Sequence, residues 1–308
     1  MSQAPIRCLG LSRWYGEVQG LSGLTADIGP GIVGLLGPNG SGKSTLMRLL
    51  TGQIRASRGK IILFGRELKP GVWEPFSRIA YTPGDDVHFE DERAFEFLEL
   101  LARLSGENAE GAKKRAQVAL ERTGMAEARE KRLREMSKGM RQRIKLAQTL
   151  LFDHEVFLLD EPLNGMDPIS RRTTLDLIRE LGKEGRTILM ASHVLHDVEA
   201  ITDRILLLHH GRLLAEGRME EIRALIGTRP REVIVKSKIP QEVGKILLEQ
   251  DLAVGMRFSE TRLVVETTRL EELLGHLSNL GCEGKIEGIE IEDHSLESLF
   301  ELLVGETA

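Results

Sequence analysis

One run, Gly37-Pro38-Asn39-Gly40-Ser41-Gly42-Lys43-Ser44, constrains the fold more than any other part of the chain. It has the spacing G-x-x-x-x-G-K-[ST] and lies between a buried-strand run at 32–36 and a helix-forming stretch at 44–50, the setting its chemistry needs. Glycines let successive backbone N–H groups point at one anion, and the helix N-terminus adds the positive end of its dipole. Lys43 brings a cation to the outer phosphates, Ser44 offers a hydroxyl to Mg2+, and Thr45 continues the phosphate-binding set into the helix. The bland alternative, a Gly-rich turn that merely contains Lys-Ser, leaves the strand before it and the helix after it unexplained.

A strand, a phosphate loop and a helix need a sheet around them. Apolar alternation at 6–11, 21–28 and 60–64 predicts short strands of an opening antiparallel sheet. Buried-strand runs at 156–159 and 187–190 flank a helix at 170–181, the alternation of a parallel α/β sheet. Between these two regions, helical spacing at Phe95, Leu98, Leu101 and Ala102 and again at Val118 and Leu120 predicts a helical insert, at about 85–150. Closing strands fall at 205–208 and 212–215. A linker at 227–230 divides a first domain, 1–227, from a second, 228–308. The second reads strand 232–237, helix 241–250, strands 254–258 and 263–267, helix 270–280, strand 285–291 and helix 296–304. That order predicts a small α+β unit of the ferredoxin-like, split βαβ kind.

Composition narrows the partners. With 308 residues, 41% of them hydrophobic and 29% charged, the chain has the make-up of a soluble globular protein. A net charge of -5 gives no overall attraction to nucleic acid. Cys8 and Cys282 are far apart and in no metal-type spacing, which suits a reducing compartment rather than a disulfide framework. No apolar run approaches the ~20 residues that a membrane helix needs, and the N-terminus lacks a signal-peptide core. Any membrane association is therefore expected through a partner.

Asp160 and Glu161 emerge together at the end of the buried run 156–159. After a phosphate loop, an acid in this position reaches Mg2+ and a second polarises the attacking water, so Asp160 takes the metal role and Glu161 that of general base. A surface turn capped by two acids is the alternative, and Pro162 and Asn164 suit it. His193, just past the next core strand, is placed to donate to the terminal phosphate and to orient Glu161. Tyr15, just before Gly16, offers an aromatic face for a base; an edge or core aromatic is its ordinary reading.

Met136-Ser137-Lys138-Gly139-Met140-Arg141-Gln142-Arg143 resembles the signature L-S-G-G-Q-R-Q-R of the ABC ATPases. The chain is most similar to the ATP-binding subunits of exporters of the drug, lipid and polysaccharide type, and the resemblance extends from residue 4 to about 225. It implies a P-loop ABC ATPase core: a parallel sheet flanked by helices, an N-terminal antiparallel sheet and a helical insert, with the C-terminal unit as an appendage. Implied with it are ATP and Mg2+, and an ATP-hydrolysing role. Ser137 and Gly139 would face the ATP bound by the opposite subunit, a second copy or a paralogue. A transmembrane permease would be driven from the cytoplasmic face, through a surface that includes Phe89 and Phe95. The segment 163–167 is similar to the loop that crosses the subunit interface.

Three departures stand out. Lys138 replaces a glycine and Met140 a glutamine of the signature. In the segment 79–84, Gly84 stands where the family has a glutamine that touches Mg2+ and water; a carboxylate of Asp85 or Asp86 is one candidate for that contact, and what replaces the glutamine stays open. The Lys- and Arg-rich run at 113–145 reads as a solvated helix face, or more weakly as a contact for anionic headgroups. Two other classes compete with a transporter subunit. A soluble ABC protein of ribosomes or DNA would need a second cassette or a long coiled coil, and the chain has neither. A non-hydrolysing regulatory module is favoured by Gly84 and opposed by Glu161.

Overall fold

The computed structural model describes residues 4–85, 89–226 and 231–291. The chain divides into two compact units, Met1–Met219 and Glu220–Ala308. The expected linker at 227–230 and the expected last helix at 296–304 lie outside the described residues.

The first unit begins with β1 (Ile6–Tyr15), β2 (Val18–Ile28), β3 (Gly31–Leu36), α1 (Lys43–Leu50), β4 (Arg58–Leu63), β5 (Arg66–Glu67) and β6 (Ile79–Thr82). The helical insert follows as α2 (Ala94–Leu104), α3 (Ala109–Arg122) and α4 (Lys138–Thr149). The chain then returns through β7 (Val156–Asp160), α5 (Pro168–Lys183), β8 (Thr187–Ser192), α6 (Leu195–Glu199), β9 (Arg204–His209) and β10 (Arg212–Arg218). A further helix, α7 (Met219–Ile226), starts at the unit boundary.

Two sheets result. The antiparallel one has the order β2-β1-β4-β5, and the other β10-β9-β3-β8-β7-β6, parallel except for β10. Side chains of both sheets, among them Ile6, Leu11, Leu24, Leu35 and Leu158, form one buried core with Leu46 of α1. Fully burying each such leucine or isoleucine stabilises the fold by roughly 1.5–3 kcal/mol. Strands β7 and β8 are buried at every position, as strands covered on both faces must be. β6 was not expected as a strand: four residues are too few for alternation to register against the turn residues that follow.

Helix α1 forms because Leu46, Met47, Leu49 and Leu50 fall on one buried face at helical spacing. It ends at Thr51 and Gly52, and a Cβ at Gly52 would stand 2.5 Å from Phe76 Cζ. The insert has its own core of Phe97, Leu98, Ala116, Leu120, Leu133 and Ile144. Asn108 caps α3 by accepting from Gly111 N, and Ser137 caps α4 by accepting from Met140 N.

The second unit holds β11 (Arg231–Lys236), α8 (Pro240–Glu249), β12 (Gly255–Phe258), β13 (Arg262–Thr267), α9 (Leu270–Cys282) and β14 (Gly288–Ile291). Its sheet has the order β12-β13-β11-β14, with every neighbouring pair antiparallel. Two strand–helix–strand units interleave in that order, the split βαβ topology. Val233, Val235, Val243, Leu247, Leu263 and Leu273 fill its core.

Candidate active site

Sheet register decides what meets what. Leu36 at the end of β3 pairs with Ser192 at the end of β8, Asp160 at the end of β7 pairs with Ala191, and Thr82 at the end of β6 pairs with Leu159. The phosphate loop, the acid pair, His193 and the 83–85 segment therefore leave the sheet at the same carboxyl edge, where open α/β sheets bind ligands.

The loop is shaped by close approach. A Cβ at Gly37 would stand 2.5 Å from Leu208 O, and one at Gly42 would stand 2.6 Å from Gly20 O. Gly40 and Gly42 have φ of 81° and 106°, in the region that favours glycine. Ser41 N donates to Pro38 O, closing the turn beside Asn39, and Gly211 N donates to Ser41 O. Lys43 is buried, and its Nζ donates to Gly37 O at 2.7 Å and to Pro38 O at 3.1 Å. Burial lowers the Lys43 pKa, against the pull of Glu161 and Asp160.

Glu161 is the meeting point. Its Oε1 lies 3.6 Å from Lys43 Nζ, within ion-pair reach but beyond a hydrogen bond, and its Oε2 lies 2.9 Å from His193 Nδ1. Its backbone has φ 49°, a left-handed conformation costly for a side chain of this size. Three hydrogen bonds hold it there: its N donates to Ala191 O, and its carbonyl accepts from Asn164 N and from Gln142 Nε2 at 3.0 Å. Asp160 is buried beside it, near the Ser44 hydroxyl. Desolvation raises the Asp160 pKa, with Ser44 acting in the opposite direction.

Ser41 Oγ, Thr82 Oγ1, Asp160 Oδ1 and Glu161 Oε1 are buried without a hydrogen-bond partner. Orphaned polar atoms at one sheet edge are costly unless a polar guest meets them. A backbone cradle with an ammonium and two carboxylates fits a phosphate chain carrying a divalent cation, with Ser44 and Asp160 as the oxygen donors to the cation.

Tyr15 is 40% exposed and lies beside this cradle. A Cβ on Gly20 would stand 2.8 Å from its ring and 3.2 Å from Thr45 Oγ1, so the missing side chain of Gly20 lets the ring settle next to α1. The Arg13 guanidinium is 4.8 Å from the ring centroid. Ser137 and Gly139 do not join the cradle through any described contact. Gly139 instead packs on the 163–167 segment, where its Cβ would stand 3.0 Å from Gly165 O. Lys138 Nζ donates to Asn164 Oδ1, and the Lys138 stem lies across Gly165. Asp167 caps α5, its Oδ1 accepting from Ile169 N and Ser170 N.

Several expectations need correction. The Asp85 carboxylate is exposed and ion-pairs with Arg48 Nη2 at 3.4 Å, while Asp86 lies outside the described residues. A Cβ at Gly84 would stand 3.5 Å from Asp160 Cγ, so it is the backbone of residue 84 that abuts the acid. The basic run at 113–145 is not uniformly solvated: Lys145 is completely buried. Phe89 is exposed, whereas Phe95 is partly buried beneath the Arg129 guanidinium. Gln142 and Lys145 were not singled out, although a polar pair at i, i+3 amid Ile144, Leu146 and Ala147 was the available signal.

These features together define a P-loop nucleotide-binding protein with two adjacent carboxylates, Asp160 and Glu161, at the phosphate edge. A family model described as ABC transporter matches residues 21–164. A daunorubicin resistance ATP-binding protein of Streptomyces coeruleorubidus is 31% identical over 99% of this chain and 98% of its own length. An uncharacterized ABC transporter ATP-binding protein of Synechocystis is 37% identical over 76% of this chain, which spans 66% of that relative's length. Among solved structures, an ATP-binding subunit of an ABC transporter superposes with a TM-score of 0.65 at 28% identity, covering 72% of this chain and 93% of that one. The chain belongs to the ATP-binding proteins of ABC transporters. Among the described residues, no helix is long and apolar enough to cross a membrane.

Proposed function

We propose that the chain binds and hydrolyses ATP to power a separate transmembrane partner, working as a pair of ATP-binding subunits that close on two nucleotides. One observation carries the reading: Glu161 is held in a left-handed backbone conformation so that its two oxygens face Lys43 and His193 at the mouth of the phosphate loop. In this reading, the N–H groups of 37–45 and Lys43 hold the phosphates, and Tyr15 stacks on the base. Ser44 and Asp160 hold Mg2+, which when bound neutralises charge on the phosphate oxygens. Glu161 accepts the proton of the water that attacks the terminal phosphorus as the bond to the departing diphosphate breaks; His193 keeps the carboxylate aimed.

Ser137 and Gly139 complete the site of the opposite subunit. Their contacts with the 163–167 segment support this, since both stretches are then presented together. The direction is export. The relative named for daunorubicin resistance, matched over 98% of its length, favours it. Attachment is to the cytoplasmic face through the partner, whose own surface contacts the transported molecule. The second unit is an accessory domain, and nucleic acid is not a partner.

The test is ATP turnover of the purified chain beside its Glu161→Gln variant, with oligomeric state recorded in ATP and Mg2+. Losing a general base lowers turnover by about 10²–10⁴. The expected variant binds ATP, accumulates as a dimer and does not turn over. Unchanged turnover in Glu161→Gln would remove Glu161 from the role of base.

A further inference from the structure

Helix α4 carries a buried cation that donates to three consecutive backbone carbonyls. Lys145 has no exposed surface, and its Nζ donates to the carbonyls of Pro83 at 3.2 Å, Gly84 at 3.4 Å and Asp85 at 2.8 Å. Desolvating an ammonium opposes folding unless its partners compensate. An apolar residue would fill this helix position without that penalty, as Ile144, Leu146 and Ala147 do beside it. The bonds to 83–85 are what a lysine supplies here and an apolar residue would not.

What it holds is the stretch that leaves β6 and lies on Asp160. The built Cβ of Gly84 would stand 3.5 Å from Asp160 Cγ and 3.6 Å from its Oδ2. Gly84 has the widest backbone freedom of any residue type, so fixing it there needs an external tie. Three consecutive carbonyls turned toward one point also repel one another, and a positive charge at that point relieves them. On the same helix face, three residues earlier, Gln142 Nε2 donates to the carbonyl of Glu161. One face of α4 thus grips both the backbone of Glu161 and the backbone packed on Asp160, and the helix is capped by Ser137.

We propose that Lys145 is a positioning residue for hydrolysis, clamping the 83–85 backbone onto Asp160 so that the placement of α4 sets the geometry around the cation-binding carboxylate. The proposal rests on the reading of Asp160 as the residue that meets Mg2+. Because the clamp acts on backbone carbonyls, it serves a segment whose central residue has no side chain to do the work.

The experiment compares the wild-type chain with Lys145→Met, which keeps the reach and removes the charge, and with Lys145→Arg. Three quantities are read: amide hydrogen exchange over 83–85, where Gly84 and Asp85 carry the amide hydrogens, ATP affinity with and without Mg2+, and turnover. In Lys145→Met, exchange over 83–85 should rise by about tenfold or more, the loss expected for charge-assisted hydrogen bonds. The gain in ATP affinity on adding Mg2+ should shrink by a similar factor, while Mg2+-free ATP affinity, set by the phosphate loop, stays at the wild-type value. Turnover should fall without a matching loss of Mg2+-free binding.

A Lys145→Met chain that melts earlier yet keeps wild-type exchange over 83–85 and the full Mg2+ gain would overturn the proposal, leaving a structural lysine. If that variant does not fold, Lys145→Arg carries the comparison. Its charge is spread over a planar fork that cannot meet three consecutive carbonyls from one atom, so the same changes should appear in smaller size. Wild-type values there would equally overturn the proposal. A wild-type chain with no Mg2+-dependent gain would instead overturn the reading of Asp160, and the claim on hydrolysis with it, whatever the exchange at 83–85.

Discussion

Two glycines of the phosphate loop make a paired experiment, because alanine at each meets the same backbone difficulty but different surroundings. Gly40 has φ 81° and its added Cβ would meet nothing within 4 Å. Gly42 has φ 106°, and its Cβ would stand 2.6 Å from Gly20 O and 3.1 Å from Leu21 Cδ1. Left-handed backbone costs a non-glycine residue about 1–2 kcal/mol. That is the whole effect expected for Gly40→Ala. For Gly42→Ala a contact with the backbone carbonyl of Gly20 is added, at the irregularity of β2 between the pairs Gln19–Trp14 and Leu21–Arg13. Overpacking of this kind adds about 1–3 kcal/mol. The chain either keeps the loop and unfolds more readily, or opens it and binds ATP less tightly. The quantity to measure is therefore the sum of the losses in unfolding free energy, from urea titration, and in ATP binding free energy, from calorimetry. Expected sums are about 1–2 kcal/mol for Gly40→Ala and about 2–5 kcal/mol for Gly42→Ala. Equal sums for the two variants would refute the reasoning that backbone approach shapes the loop.

Other outcomes follow from single contacts. Tyr15→Ala should lose about 1–3 kcal/mol of ATP affinity with no change in the affinity for tripolyphosphate, while Tyr15→Phe keeps both; a parallel loss for tripolyphosphate would take the ring off the base. Burial holds the Asp160 carboxyl above its ordinary value of 3.8, so the folded state takes up its proton more readily than the unfolded chain. Its favourable contribution is complete below 3.8 and is lost as pH rises through the folded value. The ionised group therefore opposes folding at pH 7, and Asp160→Asn should raise the melting temperature there while abolishing the Mg2+-dependent gain in ATP affinity. The rise should vanish below pH 3.8, and a lowered melting temperature at pH 7 would contradict the cause given. Burial pushes the Cys8 thiol up to about 12, whereas Cys282 is exposed. A thiol reagent at pH 8 should thus titrate Cys282 in the folded chain and Cys8 only after denaturation; rapid labelling of both would place Cys8 near solvent.

The local parts of the site were legible in the sequence. A phosphate cradle is made by consecutive N–H groups, so the spacing of Gly37, Gly42 and Lys43 nearly specifies it, and Asp160 and Glu161 follow a buried run whose end is where a sheet delivers side chains. The alternation of buried runs with helices likewise gave the parallel sheet. β6 was not legible, because four residues carry no clear period, and with it went the position of Gly84 against Asp160.

Convergence belongs to the tertiary structure alone. The strand order brings the ends of β3, β8, β7 and β6 to one edge, and pairing between strands far apart in sequence leaves no local trace. Glu161 adopts φ 49° because Ala191, Asn164 and Gln142 hold its backbone, and a residue's own identity does not call for that conformation. Lys145 shows the difference most plainly. In the sequence it closes a basic run and reads as solvated, since composition records charge and not surroundings. In the fold it is buried, because the direction a helix residue faces is decided by what packs against that helix, and here that is the backbone beside Asp160.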